Sequence, residues 1–276
     1  MSFRKRIFSM GVTSGLFLAG ALLCVGTLSP AAAATADESY AKAAQAMASK
    51  DFNGAIPLWQ AAVEGDPESL RNASELRQAV VKMSMAAHPK TEGAVADFDN
   101  EISFFEKLVA AHPNSSNAYL NFGFSYVDKI PAAGAITQVI LANTALTQFS
   151  KSIELKPTWI ALYTRGNSYL YWPKVFGRAS LGVSDLEKAY AMQKADSKKS
   201  YHVRVYISLG DGYWKTDQMD KATAMWKEGL AAFPNSQPLK DRLARQGDDL
   251  ATYINNVLDP NKRVDTDLRE LWSTGQ

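Results

Sequence analysis

The chain contains one cysteine, Cys24, and three histidines, His88, His112 and His202. Beyond Cys24 there is no thiol, so no disulfide staples the fold and no thiolate is available as a nucleophile or metal ligand. The histidines form no His-x-x-x-His pair, and no glycine-rich phosphate loop is present. His88 and His112 each precede a proline, at predicted helix ends where a cation suits the dipole. Met83, Met85 and His88 read as core and cap sooner than as a soft-metal site. Asp97, Asp99 and Glu101 alternate like a calcium loop but lack its glycine and terminal glutamate, so they read as a helix start. The sequence therefore predicts no enzyme, no cofactor and no metal. Charge of one sign is lacking too. There are 30 basic and 28 acidic residues, interspersed, which leaves no electrostatic footprint for nucleic acid. After Leu28 no apolar run is long enough to span a bilayer.

What is present begins at the N-terminus. Arg4, Lys5 and Arg6 precede an uncharged run of 18 residues, 11–28, and then Pro30 and an alanine-rich exit, 31–36. This order is that of a secretory signal peptide over 1–36, cleaved after Ala34 or Ala36. An uncleaved anchor is the alternative that the run's length allows. Leu23 before Cys24 argues against lipidation, which needs a small residue there. The expected location is periplasmic or secreted, with contact to a membrane only through a partner.

The remaining chain repeats itself. In 206–234, Tyr206, Leu209, Gly210 and Tyr213 are followed by Ala222, Trp226, Gly229 and Pro234. Small residues at these spacings let two antiparallel helices approach, large ones fill the gaps, and proline stops the second helix. Tyr119, Phe122, Gly123 and Tyr126 make another first helix. Leu162, Arg165, Gly166 and Tyr169 make a third, with Arg165 departing from the usual leucine. Ala145, Phe149, Ser152 and Pro157, and Ala55, Trp59, Ala62 and Pro67, fit second helices. The region 69–113 keeps only Phe105 and Pro113 of the pattern.

Over 37–258 the chain resembles the tetratricopeptide (TPR) repeat superfamily. That resemblance implies an all-α fold, a TPR-like superhelix of four to five helical hairpins whose first helices line a concave groove. The three glycines lie 43 and 44 residues apart, against about 34 in an ordinary repeat. The extra length is placed at 128–137 and 171–178. Both inserts fall between paired helices and are expected at one rim of the array. There they either build a binding surface or, as Trp172 and Phe176 favour, plug a gap. A single long helix over 238–258 is expected to cap the last hairpin. A tail over 259–276 carries Leu268, Leu271 and Trp272 at helical spacing and should dock.

Carried over by offset from the three glycines, the resemblance makes groove residues of Asn117, Leu120, Phe124 and Val127, of Ile160, Tyr163, Asn167 and Leu170, and of Arg204, Ile207, Asp211 and Trp214. Asn117, Phe124, Tyr163, Asn167, Trp172, Arg204, Asp211 and Trp214 are the candidate partner-binding residues. Amides pair with peptide backbone, and aromatics give contact area at low entropy cost. The expected function is a protein-interaction scaffold for a periplasmic or envelope partner. The alternative is a small-molecule carrier, similar in layout to the TPR-like components of TRAP transporters.

Overall fold

The structure, a computed structural model, describes residues 30–88, 94–260, 262 and 266–272, with side chains from residue 38 onward. The basic start and apolar run of the expected signal peptide lie outside these residues. Among the described residues the regular structure is helical throughout. Five antiparallel pairs follow in order: α1 (Pro30–Ala48) with α2 (Phe52–Gly65), α3 (Leu70–Ala87) with α4 (Ala94–Ala111), α5 (Ser116–Lys129) with α6 (Ala135–Leu155), α7 (Trp159–Leu170) with α8 (Ala179–Lys194), and α9 (Val203–Lys215) with α10 (Met219–Ala232). Two short helices, α11 (Gln237–Leu243) and α12 (Gly247–Val257), close the array.

The junctions between hairpins follow from local chemistry. Pro67, Pro113 and Pro157 follow α2, α4 and α6, where proline cannot continue a helix. Ser69, Ser115 and Thr158 then start α3, α5 and α7. Each side-chain oxygen accepts a bond from the backbone N–H three residues on. In the hairpins α5–α6 and α9–α10 the close approach is set by glycine under an aromatic ring. A Cβ on Gly210 would stand 2.1 Å from Nε1 of Trp226, and one on Gly123 would stand 2.4 Å from the Phe149 ring. Both rings are almost fully buried. The departure at Arg165 has a cause: its guanidinium forks onto Asp185 of α8 at 2.7 and 2.9 Å and also reaches Ser150 Oγ at 3.0 Å.

Two expectations are corrected. The cap is not one helix over 238–258. Residues 244–246 interrupt it, and Gly247 has φ of 51°, a left-handed conformation that glycine adopts without steric cost. The extra length at 128–137 does not project as a separate insert either. Asp128 and Lys129 complete α5, a 3-10 turn takes Ile130–Ala132, and most of the added length makes α6 a helix of 21 residues against 14 in α2 and α10.

The core is three adjoining clusters. One joins α1–α4 through Trp59, Leu76, Phe98 and Phe105. The middle one packs Leu120, Phe124, Leu146, Phe149 and Ala161 together with Leu268 of the tail. The third runs from Leu162 to Leu258 around Leu186, Leu209 and Trp226.

Candidate functional site

First helices supply one continuous face: Arg77 and Gln78 from α3, Asn121, Phe124 and Asp128 from α5, Tyr163 and Asn167 from α7, Arg204, Ser208 and Asp211 from α9. The cap adds Arg242 and Tyr253. The tail, 266–272, lies against this face. A cavity of about 350 Å³ remains between the tail residues Asp267, Leu268, Glu270 and Leu271 and the walls formed by α7, α9 and α12.

The floor of the face is a buried ion pair. Arg77, fully buried, donates from Nε to Asn121 Oδ1 at 2.9 Å and from Nη1 to Asp128 Oδ2 at 2.7 Å. Its third bond, from Nη2 at 3.0 Å, goes to the backbone oxygen of Thr266 in the tail. The Thr266 hydroxyl donates to Asp128 Oδ1 at 2.5 Å and accepts from Gln78 Nε2 at 3.4 Å. The Arg77 guanidinium also stacks 4.5 Å over the Phe124 ring. Farther along, Arg204 Nε donates to Glu270 Oε1 at 2.6 Å.

The candidate residues separate by position. Phe124, Tyr163, Asn167, Arg204 and Asp211 line the cavity. Phe124 is nevertheless buried beneath the tail, and Asp211 is held in a buried fork by Arg242, with both bonds at 2.6 Å. That pairing leaves Asp211 no open face for a partner's charge. Asn167 accepts from Ser208 Oγ at 2.9 Å, bridging α7 and α9. Asn117 and Trp214 are outside the cavity. Asn117 ties two hairpins by donating to the Glu68 oxygen at 2.7 Å, and Trp214 packs half-buried against the third core cluster. Of the other groove positions, Leu120 and Leu170 are fully buried core.

Burial pushes the Tyr171 phenol up to about 12, neighbouring Tyr163 adds to the shift, and a hydrogen bond with Asn167 opposes it. Tyr171 therefore stays neutral at the cavity wall. Tyr163 is likewise raised by burial, with Arg204 acting the other way.

Trp172 belongs to a second, more apolar cavity of about 300 Å³ at the rim. Both expected inserts meet there: Ile130 and Pro131 from one, Trp172, Pro173 and Phe176 from the other, with Val139 and Leu146 of α6. Trp172 is half-buried under Arg178, whose guanidinium lies 3.7 Å from the ring. Phe176 does not plug a gap; it is 62% exposed, as are Ile136 at 82% and Val175 at 87%.

Sequence reasoning missed Arg77, Gln78, Asn121, Asp128 and Arg242. A usable signal existed for Arg77: it is a lone cation among Leu76, Ala79, Val80 and Val81, on a helix face that must be buried.

His202, just before α9, is buried beside Trp159 and accepts at Nδ1 from the Lys199 N–H at 3.3 Å. Burial lowers its pKa from 6.5, with Lys199 acting in the same direction and Asp196 against it. The unfolded chain then takes up a proton at higher pH than the fold does. Stability contributed by neutral His202 is complete above about pH 6.5 and declines as pH falls below it. Thermal melts between pH 7.5 and 5 should show a falling midpoint, and His202→Gln should flatten that slope. An equal slope in the variant would assign the acid sensitivity to other groups.

No family model matches the chain, and no curated protein does. Solved structures do match. TTC0263, a thermophilic TPR protein of Thermus thermophilus, is similar with a TM-score of 0.50 at 18% identity, over 76% of this chain and 97% of that one. A MamA protein has a TM-score of 0.46 at 16% identity, over 77% of this chain and 96% of that one. Hairpins stacked in series, glycines seated beneath aromatic rings and the likeness to the Thermus protein together give this chain the TPR-like fold.

Proposed function

We propose that the chain is an exported protein-interaction module that takes an extended segment of a partner on its concave face. One observation carries this reading: a stretch of chain, 266–272, already lies on that face, held by backbone, apolar and charged contacts together. Those are the three kinds of contact by which a groove holds a peptide. The likeness in fold supports scaffold or adaptor work in general, and the leader sequence supports a periplasmic or envelope partner.

The test is a photo-crosslinking amino acid placed at Tyr163 in the groove or, as control, at exposed Lys227 on α10. In the producing cells, adducts to one protein through position 163 and not through 227 support the groove. Adducts through 227 alone, or equally through both, overturn it.

A second reading, a small-molecule carrier, is favoured by the apolar cavity beside Trp172. It expects a small apolar molecule to co-purify and to be lost in Ala142→Trp, which would fill the cavity. Native mass spectrometry of both forms decides it.

A further inference from the structure

The tail reads as a template. Thr266 and Leu268 are buried, and Glu270 meets Arg204. The residues between them, Asp267 and Arg269, are turned to each other, with Arg269 Nε 2.8 Å from Asp267 Oδ2. Thr266, Leu268 and Glu270 therefore each meet the groove, Glu270 from the 3-10 turn Arg269–Leu271 that follows Leu268.

Each inward position has its own reader. At Thr266 the hydroxyl both donates, to Asp128, and accepts, from Gln78. A side chain without a hydroxyl would leave those buried groups unmatched, and that is how a site rejects an isostere. At Leu268 the reader is apolar, built from Leu120, Phe124, Leu146 and Phe149. At Glu270 it is the Arg204 cation. Four helices, α3, α5, α6 and α9, contribute to a stretch of five residues.

The tail leaves space beside it. The 350 Å³ cavity is bounded on one side by the tail and on the other by Tyr163, Asn167, Ile207 and Tyr253. A short tether gives a cis segment an effective concentration on the order of millimolar, so a competitor must make contacts that the tail does not. The unfilled cavity supplies the surface for them.

Resting on the groove reading above, we propose that the groove selects a partner segment with a hydroxyl residue, a leucine and an acid at alternate positions, and that the tail is its resident competitor. A partner that carries the pattern, with larger side chains flanking it, displaces the tail. One that lacks the pattern does not.

The probe is a fluorescein-labelled peptide with the sequence of residues 262–276, followed by anisotropy against the full chain. Two forms of the full chain weaken the cis tail, Leu268→Asp and the milder Glu270→Lys at a half-exposed position. Both are checked for helicity and melting point. The tail variants should bind the peptide at least about tenfold more tightly than the parent does. Peptides altered by Thr266→Val, Leu268→Asp or Glu270→Lys should each lose about tenfold or more. An Arg204→Glu chain that also carries Leu268→Asp should reverse the last preference. Equal binding by parent and tail variants overturns the cis competitor. Equal binding of all four peptides, or no binding to folded tail variants, overturns the selected pattern. Neither result touches the crosslinks at position 163, which judge the groove by themselves.

Discussion

Arg77→Met should destabilise the fold by about 3–5 kcal/mol, as removal of one partner from a buried ion pair does. The loss is not the value of the pair. Asp128 is 2% exposed, and without the guanidinium its carboxylate stays in the core against the Thr266 hydroxyl, with no cation to balance it. Asn121 and the Thr266 carbonyl lose their donor as well. Asp128→Asn in the same chain should restore a large part of the loss, because the stranded charge is then gone. Denaturant melts of the parent, the single and the double variants make the comparison. A double variant no more stable than Arg77→Met would show that lost packing on Phe124, not the stranded carboxylate, sets the cost.

The second large effect lies at the other end. Trp226→Ala should cost about 3–5 kcal/mol, the range for truncating a buried aromatic ring. Trp226 is 1% exposed and closes α10 onto α9 over Gly210. With no Cβ at Gly210 and none of the ring, nothing nearby fills the gap, and the two helices cannot move closer. Trp226→Phe should cost less, since it keeps part of the volume. If denaturant melts put the alanine variant within about 1 kcal/mol of the parent, the hairpin has collapsed around the gap.

Legibility in the sequence tracks how local each constraint is. The hairpin α9–α10 is readable because its glycine, its tryptophan and its closing proline sit at fixed spacing within 29 residues, 206–234. The region 69–113 is not. Its helices α3 and α4 lack the glycine and are held instead by Trp59, Leu76 and Phe105 of one cluster. The broken cap was hidden for another reason. Pro238 and Leu258 bound an apolar periodicity that passes smoothly over the break, where α11 ends at Leu243 and α12 begins at Gly247 with positive φ.

The site was half legible. Offsets from the glycines led to Tyr163, Asn167 and Arg204, which do line the cavity. The same offsets also named Asp211, because no local rule reveals that Arg242, 31 residues on, forks onto it. Arg77 and Asp128 were illegible as a pair for the same reason: they are 51 residues apart in sequence and meet only when two hairpins stack.

The bond from Arg77 to Thr266 spans 189 residues, whereas a helical array of this kind gains most of its contacts between near neighbours in sequence. Pairing of neighbours is fast, and joining such distant positions is slow because loop closure must come first. Chain order adds to this. Synthesis proceeds from the N-terminus, so α3, α5, α7 and α9 can stack before residues 266–272 are made. The concave face can therefore be assembled before the tail that covers Arg77 and Asp128 is made. A partner present at that stage meets the face before the tail competes for it.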